Sequence, residues 1–263
     1  MQEKGSGKLL LAVDVGNTNI VVGLFAGEEL VSDWRLATNS HTMPDEYAVL
    51  LSGLLGYQGL DMAQIDAAII ASVVPKVTAN FMELAEKYMK VEALVVGPSI
   101  KTGVKIGIEN PKEVGADRVV NSLAAFRLYG APAIVVDLGT ATTFDAISVE
   151  GVYMGGAIAP GILTSVEALS RQTARLPRVD MVTPAHAIGR DTLTAMQSGI
   201  ILGHAAMVDG MVRRIAAEME GEPRVIATGG LCTVIAAEVP RIQVADKNLT
   251  LKGLRLMYDL NRP

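Results

Sequence analysis

Asp14-Val15-Gly16-Asn17-Thr18-Asn19 sets a carboxylate at the end of an apolar run that begins at Leu9, and a second β-branched run, Ile20-Val21-Val22, leads away. The pattern reads as a strand, a tight polar turn and a returning strand. Gly16 allows a close backbone approach or a positive φ, and Asn17, Thr18 and Asn19 add short amide and hydroxyl side chains beside backbone N–H groups. Such a concavity suits phosphate oxygens. An anionic Asp14 next to a phosphate requires a divalent cation between them, with waters completing its shell. Ordinary hairpin chemistry is the simpler account of one such loop taken alone.

The pattern recurs. Residues 133–148 read AIVVDLGTATTFDAIS, so that Asp137, Gly139 and Thr140 repeat Asp14, Gly16 and Asn17. Ala67–Val74 (AAIIASVV) and Arg224–Leu231 (RVIATGGL) form a second matched pair, each a strand ending in Ser or Thr ahead of a helical pattern. Two copies of strand-turn-strand with a later strand-to-helix element predict a duplicated α/β unit. Two phosphate loops from related halves, facing one another across a cleft, would hold the chain of a nucleoside triphosphate. Thr228-Gly229-Gly230 would then offer a flat backbone surface to the nucleoside, or else serve only as a helix cap with glycine punctuation.

Gly115-Ala116-Asp117-Arg118 has two readings. In one, Asp117 takes the proton of an attacking hydroxyl while Arg118 holds an anionic group of the acceptor. Phosphoryl transfer needs little more than an oriented nucleophile, a base and charge stabilisation. In the other, Asp117 is the N-cap of the helix that follows and Arg118 a solvated surface charge.

Composition narrows the partners. A net charge of −5 and no run of basic residues argue against nucleic acid. One cysteine, Cys232, excludes internal disulfides and a multi-cysteine metal site, and His41, His186 and His204 lack metal-ligand spacing. The apolar run at the start stops at Asp14, too short for a signal-peptide core, and no apolar segment reaches membrane-spanning length, so the expectation is a cytoplasmic protein. Gly5-Ser6-Gly7-Lys8 resembles the tail of a P-loop, but Leu9 replaces the required Ser or Thr and Gln2 the required Gly.

The elements that would carry these loops can be read in order. Leu30–Leu36 predicts a third strand, and Thr42, with Pro44 and Asp45, predicts the start of a helix carrying Tyr47, Leu50, Leu51, Leu54 and Leu55. Ala67–Val74 reads as a buried strand, Pro75 to about Met89 as a helix and Ala93–Val96 as a strand. The stretch from Gly97 to Pro111 reads as a connector and divides the chain into domains 1–112 and 113–263. A helix is predicted over Asp117–Tyr129, the Pro160-Gly161 turn leads into another, and Arg190 to about Met219 is the longest helical pattern. Gly199 and Gly203 on it permit another backbone to come close, within the chain or between subunits. A last helix is predicted over Asn248–Leu260.

LLAVDVGNTN, GADR, VVDLGTATTFD, YMGGAIAPGI, IGRDTLTAMQSG and VIATGGL occur in this order, and together the chain from about Leu10 to Tyr258 resembles the type III pantothenate kinases of the acetate and sugar kinase/actin superfamily. The resemblance implies two similar actin-like (ribonuclease H-like) α/β domains with a cleft between them. It implies ATP-dependent phosphorylation of pantothenate to 4′-phosphopantothenate, the first step of coenzyme A biosynthesis. Asp14, Val15, Gly16, Asn17, Thr18, Asn19, Ile20 and Val21 would form the first ATP loop, with Asp14 near Mg2+, and Thr140 would belong to the second. Gly115, Ala116, Asp117 and Arg118 would bind substrate, with Asp117 as catalytic base and Arg118 on the pantothenate carboxylate. Asp137 would bind a monovalent cation, K+ or NH4+, and Thr192 would bind pantothenate. A homodimer is implied as well.

One departure concerns the acceptor pocket, where Ile108 stands in place of a tyrosine that some members carry before the Asn-Pro. Two competing functions share the scaffold: a transcriptional regulator resembling the Bvg accessory factor, and a sugar or acetate kinase. Intact Asp117 and Arg118 favour retained chemistry over the first of these.

Overall fold

The computed structural model describes residues 8–172 and 180–262. The Gly5-Ser6-Gly7 stretch lies outside them. The elements run β1 (Leu9–Val15), β2 (Asn19–Ala26), β3 (Glu29–Ala37), α1 (Pro44–Tyr57), β4 (Ala67–Ser72), α2 (Pro75–Leu84), β5 (Ala93–Val95), β6 (Lys105–Ile106) and α3 (Ala116–Tyr129). They continue as β7 (Ala133–Leu138), β8 (Ala141–Ile147), β9 (Val152–Pro160), α4 (Ile162–Gln172), α5 (Thr192–Gln197), α6 (Gly203–Ala216), β10 (Arg224–Thr228), α7 (Cys232–Glu238), β11 (Val244–Ala245) and α8 (Leu249–Asn261).

The chain divides into two compact units. One comprises Met1–Gly103, Lys112–Leu123 and Thr250–Pro263, the other Val104–Pro111 and Ala124–Leu249. The first holds a five-stranded sheet in the order β3-β2-β1-β4-β5. Its first three strands form an antiparallel meander, and β4 and β5 join in parallel. Leu11, Val13 and Val15, two apart along β1, share one face by strand periodicity. With Ile20 and Val22 they join a core that takes Tyr47, Leu51 and Leu55 from α1 and Val77, Phe81 and Leu84 from α2. Tyr47 and Phe81 meet with ring centroids 4.9 Å apart. The helix starts one residue later than its expected cap at Thr42. Met43 is the capping residue, and its N–H donates to the Glu46 carboxylate (2.7 Å), while Asp45 turns to Lys87 and Tyr88 instead.

The second unit holds a six-stranded sheet in the order β11-β10-β7-β8-β9-β6. Strip β6 away and the order and sense match the first sheet strand for strand, β7-β8-β9 antiparallel and β7-β10-β11 parallel. The duplication legible in the loops is therefore a duplication of topology. Ile134, Val136 and Leu138 of β7 pack with Phe144, Val208, Val212 and Ile235 in its core. The connector expected over 97–111 contains β6, which pairs with β9. The long helical pattern is a run of two helices, α5 and α6, joined by a π-turn over Ser198–Leu202. Among the described residues no helix is long and apolar enough to cross a membrane.

Candidate active site

The first loop is a turn closed on itself and clamped by one residue from the third strand. Gly16 N–H donates to the Asn19 carbonyl (3.0 Å), and Thr38, one residue past β3, donates its hydroxyl to the Gly16 carbonyl (2.7 Å) and its N–H to the Thr18 carbonyl (3.0 Å). Three electron-rich carbonyls of the turn are thus held on protein donors, which favours an anion at the remaining N–H groups. Asn17 and Thr18 are exposed, and Asp14, Gly16, Asn19 and Val21 are partly buried. Val15 and Ile20 have their side chains in the core, so they offer a ligand only their backbone. Asp14 lies opposite Val21 on β2 and Ala71 on β4.

The second loop is one residue shorter. Gly139 N–H reaches the Ala141 carbonyl (3.0 Å), and the Thr140 carbonyl accepts from Gly161 N–H (3.2 Å) and the Thr164 hydroxyl (2.7 Å). Gly161 follows β9 as Thr38 follows β3, so the two clamps are equivalent in the duplicated fold. A Cβ on Gly161 would overlap the carbonyls of Gly139 and Thr140, so only glycine permits this approach. Gly139 and Thr140 are exposed, and Asp137 is partly buried. Asp137 lies opposite Thr143 on β8 and Thr228 on β10. Beside it Gly229, at φ +90°, packs so closely that a Cβ there would overlap Asp137 Oδ1 and the Leu138 carbonyl, both 2.7 Å from its position, so only glycine permits this approach. The helix expected directly behind Gly229-Gly230 begins at Cys232.

The Gly115–Arg118 segment enters α3. The Gly115 carbonyl accepts from Arg118 N–H (3.1 Å) and Val119 N–H (3.2 Å), which puts the helix start at Gly115. Asp117 lies inside the first turn, its Oδ1 accepting from Arg118 N–H (2.9 Å). The N-cap reading of Asp117 is corrected accordingly: the residue lies two positions past the capping Gly115, too far into the helix to cap it. Gly115, Ala116, Asp117 and Arg118 are all partly buried, and the segment belongs to the same unit as the first loop.

Thr192 opens α5, where Asp191 caps the helix through its Oδ1 on Thr194 N–H (2.9 Å); this bond holds the Asp191 carboxyl below its ordinary range. Thr192 lines a largely apolar cavity of about 800 Å³ with Ile162, Ser165, Met196, His204 and Met207, within the second unit. His204 Nε2 lies 2.9 Å from the buried Thr142 hydroxyl, and burial pushes its pKa down from the ordinary 6.5. Ile108 lies partly buried near Gly155.

Of the residues singled out from sequence, Asp14 to Val21 and Gly115 to Arg118 belong to the first unit, and Asp137, Thr140 and Thr192 to the second. Sequence reasoning missed Thr38, Thr164 and the Thr142–His204 pair. A comparison of the residues just past the third strand of each repeat would have found the clamps.

The chain from residue 10 to residue 214 matches the family model for type III pantothenate kinase. It is 52% identical to the type III pantothenate kinase of Moorella thermoacetica, over 96% of this chain and 100% of that one. It is 47% identical to that of Dehalococcoides mccartyi, over 100% of both. Among solved structures it is similar to a chain from Campylobacter jejuni named for the Baf family of transcriptional activators (TM-score 0.59, 18% identity, 95% of this chain and 97% of that one). It is similar too to an inorganic polyphosphate/ATP-glucomannokinase from an Arthrobacter strain (TM-score 0.51, 14% identity, 97% and 99%). At such identities these likenesses show the fold alone, that of actin-like ATPases and sugar kinases. With the loops, the duplicated sheets and a family match over most of its length, the chain belongs to the type III pantothenate kinase family.

Proposed function

We propose that this chain transfers the γ-phosphoryl group of ATP to the primary hydroxyl of pantothenate, giving 4′-phosphopantothenate and ADP in the first step toward coenzyme A. The observation that carries this is the family match over residues 10–214, which spans both loops, the Gly115–Arg118 segment and Thr192. The hydroxyl oxygen forms the new bond to the γ-phosphorus as the bond from that phosphorus to the β,γ-bridging oxygen breaks, and ADP leaves with the electron pair. Asp117 takes the hydroxyl proton. Arg118 holds the pantothenate carboxylate, with Gly115 and Ala116 lending backbone and Thr192 a hydroxyl. Residues 14–21 and Thr140 hold the phosphates through N–H groups and short polar side chains.

Mg2+ arriving with ATP would neutralise phosphate charge. Asp14 is the residue to hold it, through water. Among the described residues no group of three or more His, Cys, Asp or Glu is arranged for a metal, and one carboxylate completed by phosphate oxygens and water fits Mg2+. Asp137 fits K+ or NH4+: its carboxylate oxygen and the Leu138 carbonyl oxygen both come up against Gly229, and both are hard donors for such a cation.

The reading includes a cytoplasmic homodimer. Ile158, Leu163 and Leu193 are exposed on β9, α4 and α5, elements that also border the cavity holding Thr192, and apolar surface of this kind favours a subunit contact.

Replacing Asp117 by Asn tests the base. Turnover is expected to fall by roughly 10²–10⁴-fold with Mg-ATP binding nearly unchanged. Turnover within a few-fold of the unaltered enzyme would remove Asp117 from that role.

A further inference from the structure

The two repeats treat their equivalent aspartates differently. Asp14 is flanked across the sheet by Val21 and Ala71, whereas Asp137 is flanked by Thr143 and Thr228. A side chain directly opposite in an antiparallel pair has its Cβ about 4.5–5.5 Å away on the same face, close enough to share a ligand. The second aspartate therefore has a hydroxyl on either side where the first has only carbon.

Thr143 is also oriented. Its hydroxyl donates to Asp145 Oδ2 (3.2 Å), and Asp145 Oδ1 accepts from the Tyr153 hydroxyl (3.1 Å). Asp145 and Tyr153 are buried. A threonine hydroxyl has one hydrogen to give and lone pairs to offer. With that hydrogen committed to Asp145, what Thr143 can present toward Asp137 is an acceptor oxygen. An acceptor beside a carboxylate attracts a cation and is of no use to another anion.

We propose that Thr143 and Thr228 complete the monovalent-cation site of Asp137, and that Asp145 is a positioning residue that fixes the Thr143 hydroxyl with its oxygen toward the ion. This rests on the assignment of a cation to Asp137. The first loop has no counterpart of this hydroxyl pair, so only the second repeat holds a dehydrated ion.

The test reads ion binding separately from turnover. Thermal unfolding of the full chain with Mg-ADP is followed while KCl replaces tetramethylammonium chloride at constant ionic strength. The unaltered protein is expected to be stabilised by K+ with a saturable midpoint. Thr143→Val keeps the β-branched shape and is expected to raise that midpoint at least tenfold, Thr228→Val to act in the same direction, and Thr143→Ser to stay within about threefold, a margin well inside the tenfold step that 1.4 kcal/mol produces. Each variant must melt as the unaltered protein does in tetramethylammonium alone, so that a lost ion response is not lost folding. If Asp137→Asn abolishes the K+ response but Thr143→Val leaves it unchanged, the threonine ligands are wrong and the Asp137 site stands. If the unaltered protein shows no K+ response, both fall.

Discussion

Tyr129 ends α3 with its hydroxyl on Asp246 Oδ2 (2.7 Å), a carboxylate only 8% exposed, and burial, then that bond, raises the phenol well above its ordinary range. Tyr129→Phe is expected to cost about 1–3 kcal/mol in urea unfolding, the usual penalty for taking a donor from a buried charged acceptor. Gly161 offers a second test at this scale. Gly161→Ala forces a methyl group into the carbonyls of the second loop, and a loss of about 1–3 kcal/mol with weaker nucleotide binding is expected. Asp14, Gly16, Asp137 and Thr140 were legible in the sequence because carboxylate, glycine and small polar side chains recur after β-branched runs. Thr38 and Thr164 were not. Each acts on a loop 22 or 24 residues away, and a strand's periodicity does not tell which hydroxyl just beyond it will reach back.

At the level of elements, α6 is tied to β8 through His204 and Thr142. Burial depresses the His204 pKa, so below 6.5 the unfolded chain takes up a proton that the folded chain refuses. The contribution of this group to stability is therefore full above pH 6.5 and shrinks as pH falls from 6.5 toward the depressed value. Melts on either side of that pH should show the loss, and His204→Gln should flatten it. An unchanged pH slope in the variant would remove His204 as its source. The helices and long strands of the sequence reading stand, because their apolar spacing is set by the core they face. The two-residue strands β6 and β11 were not legible, since two residues carry no periodicity and form only where a neighbouring strand offers an edge. The cap of α1 was misplaced for a similar reason: Thr42 and Met43 both precede Pro44, and the contest was settled by Glu46 reaching back to Met43.

For the whole molecule, duplication is the fact from which the functional reading grows. Two sheets with one strand order each deliver an aspartate and a clamped loop at the end of a central strand. The repeat of a short motif in sequence was enough to find this, whereas the segments each unit draws from three or two parts of the chain were not visible in it. The homodimer reading predicts twice the mass of one chain in sedimentation equilibrium, and Leu163→Glu, placed on exposed apolar surface, should shift it toward one. The most direct measurement is ADP release from Mg-ATP with and without pantothenate, in potassium and in sodium buffer. Release that depends on pantothenate and is faster in potassium is the expected result. No pantothenate-dependent release in either buffer, from protein that still binds ATP, would contradict it.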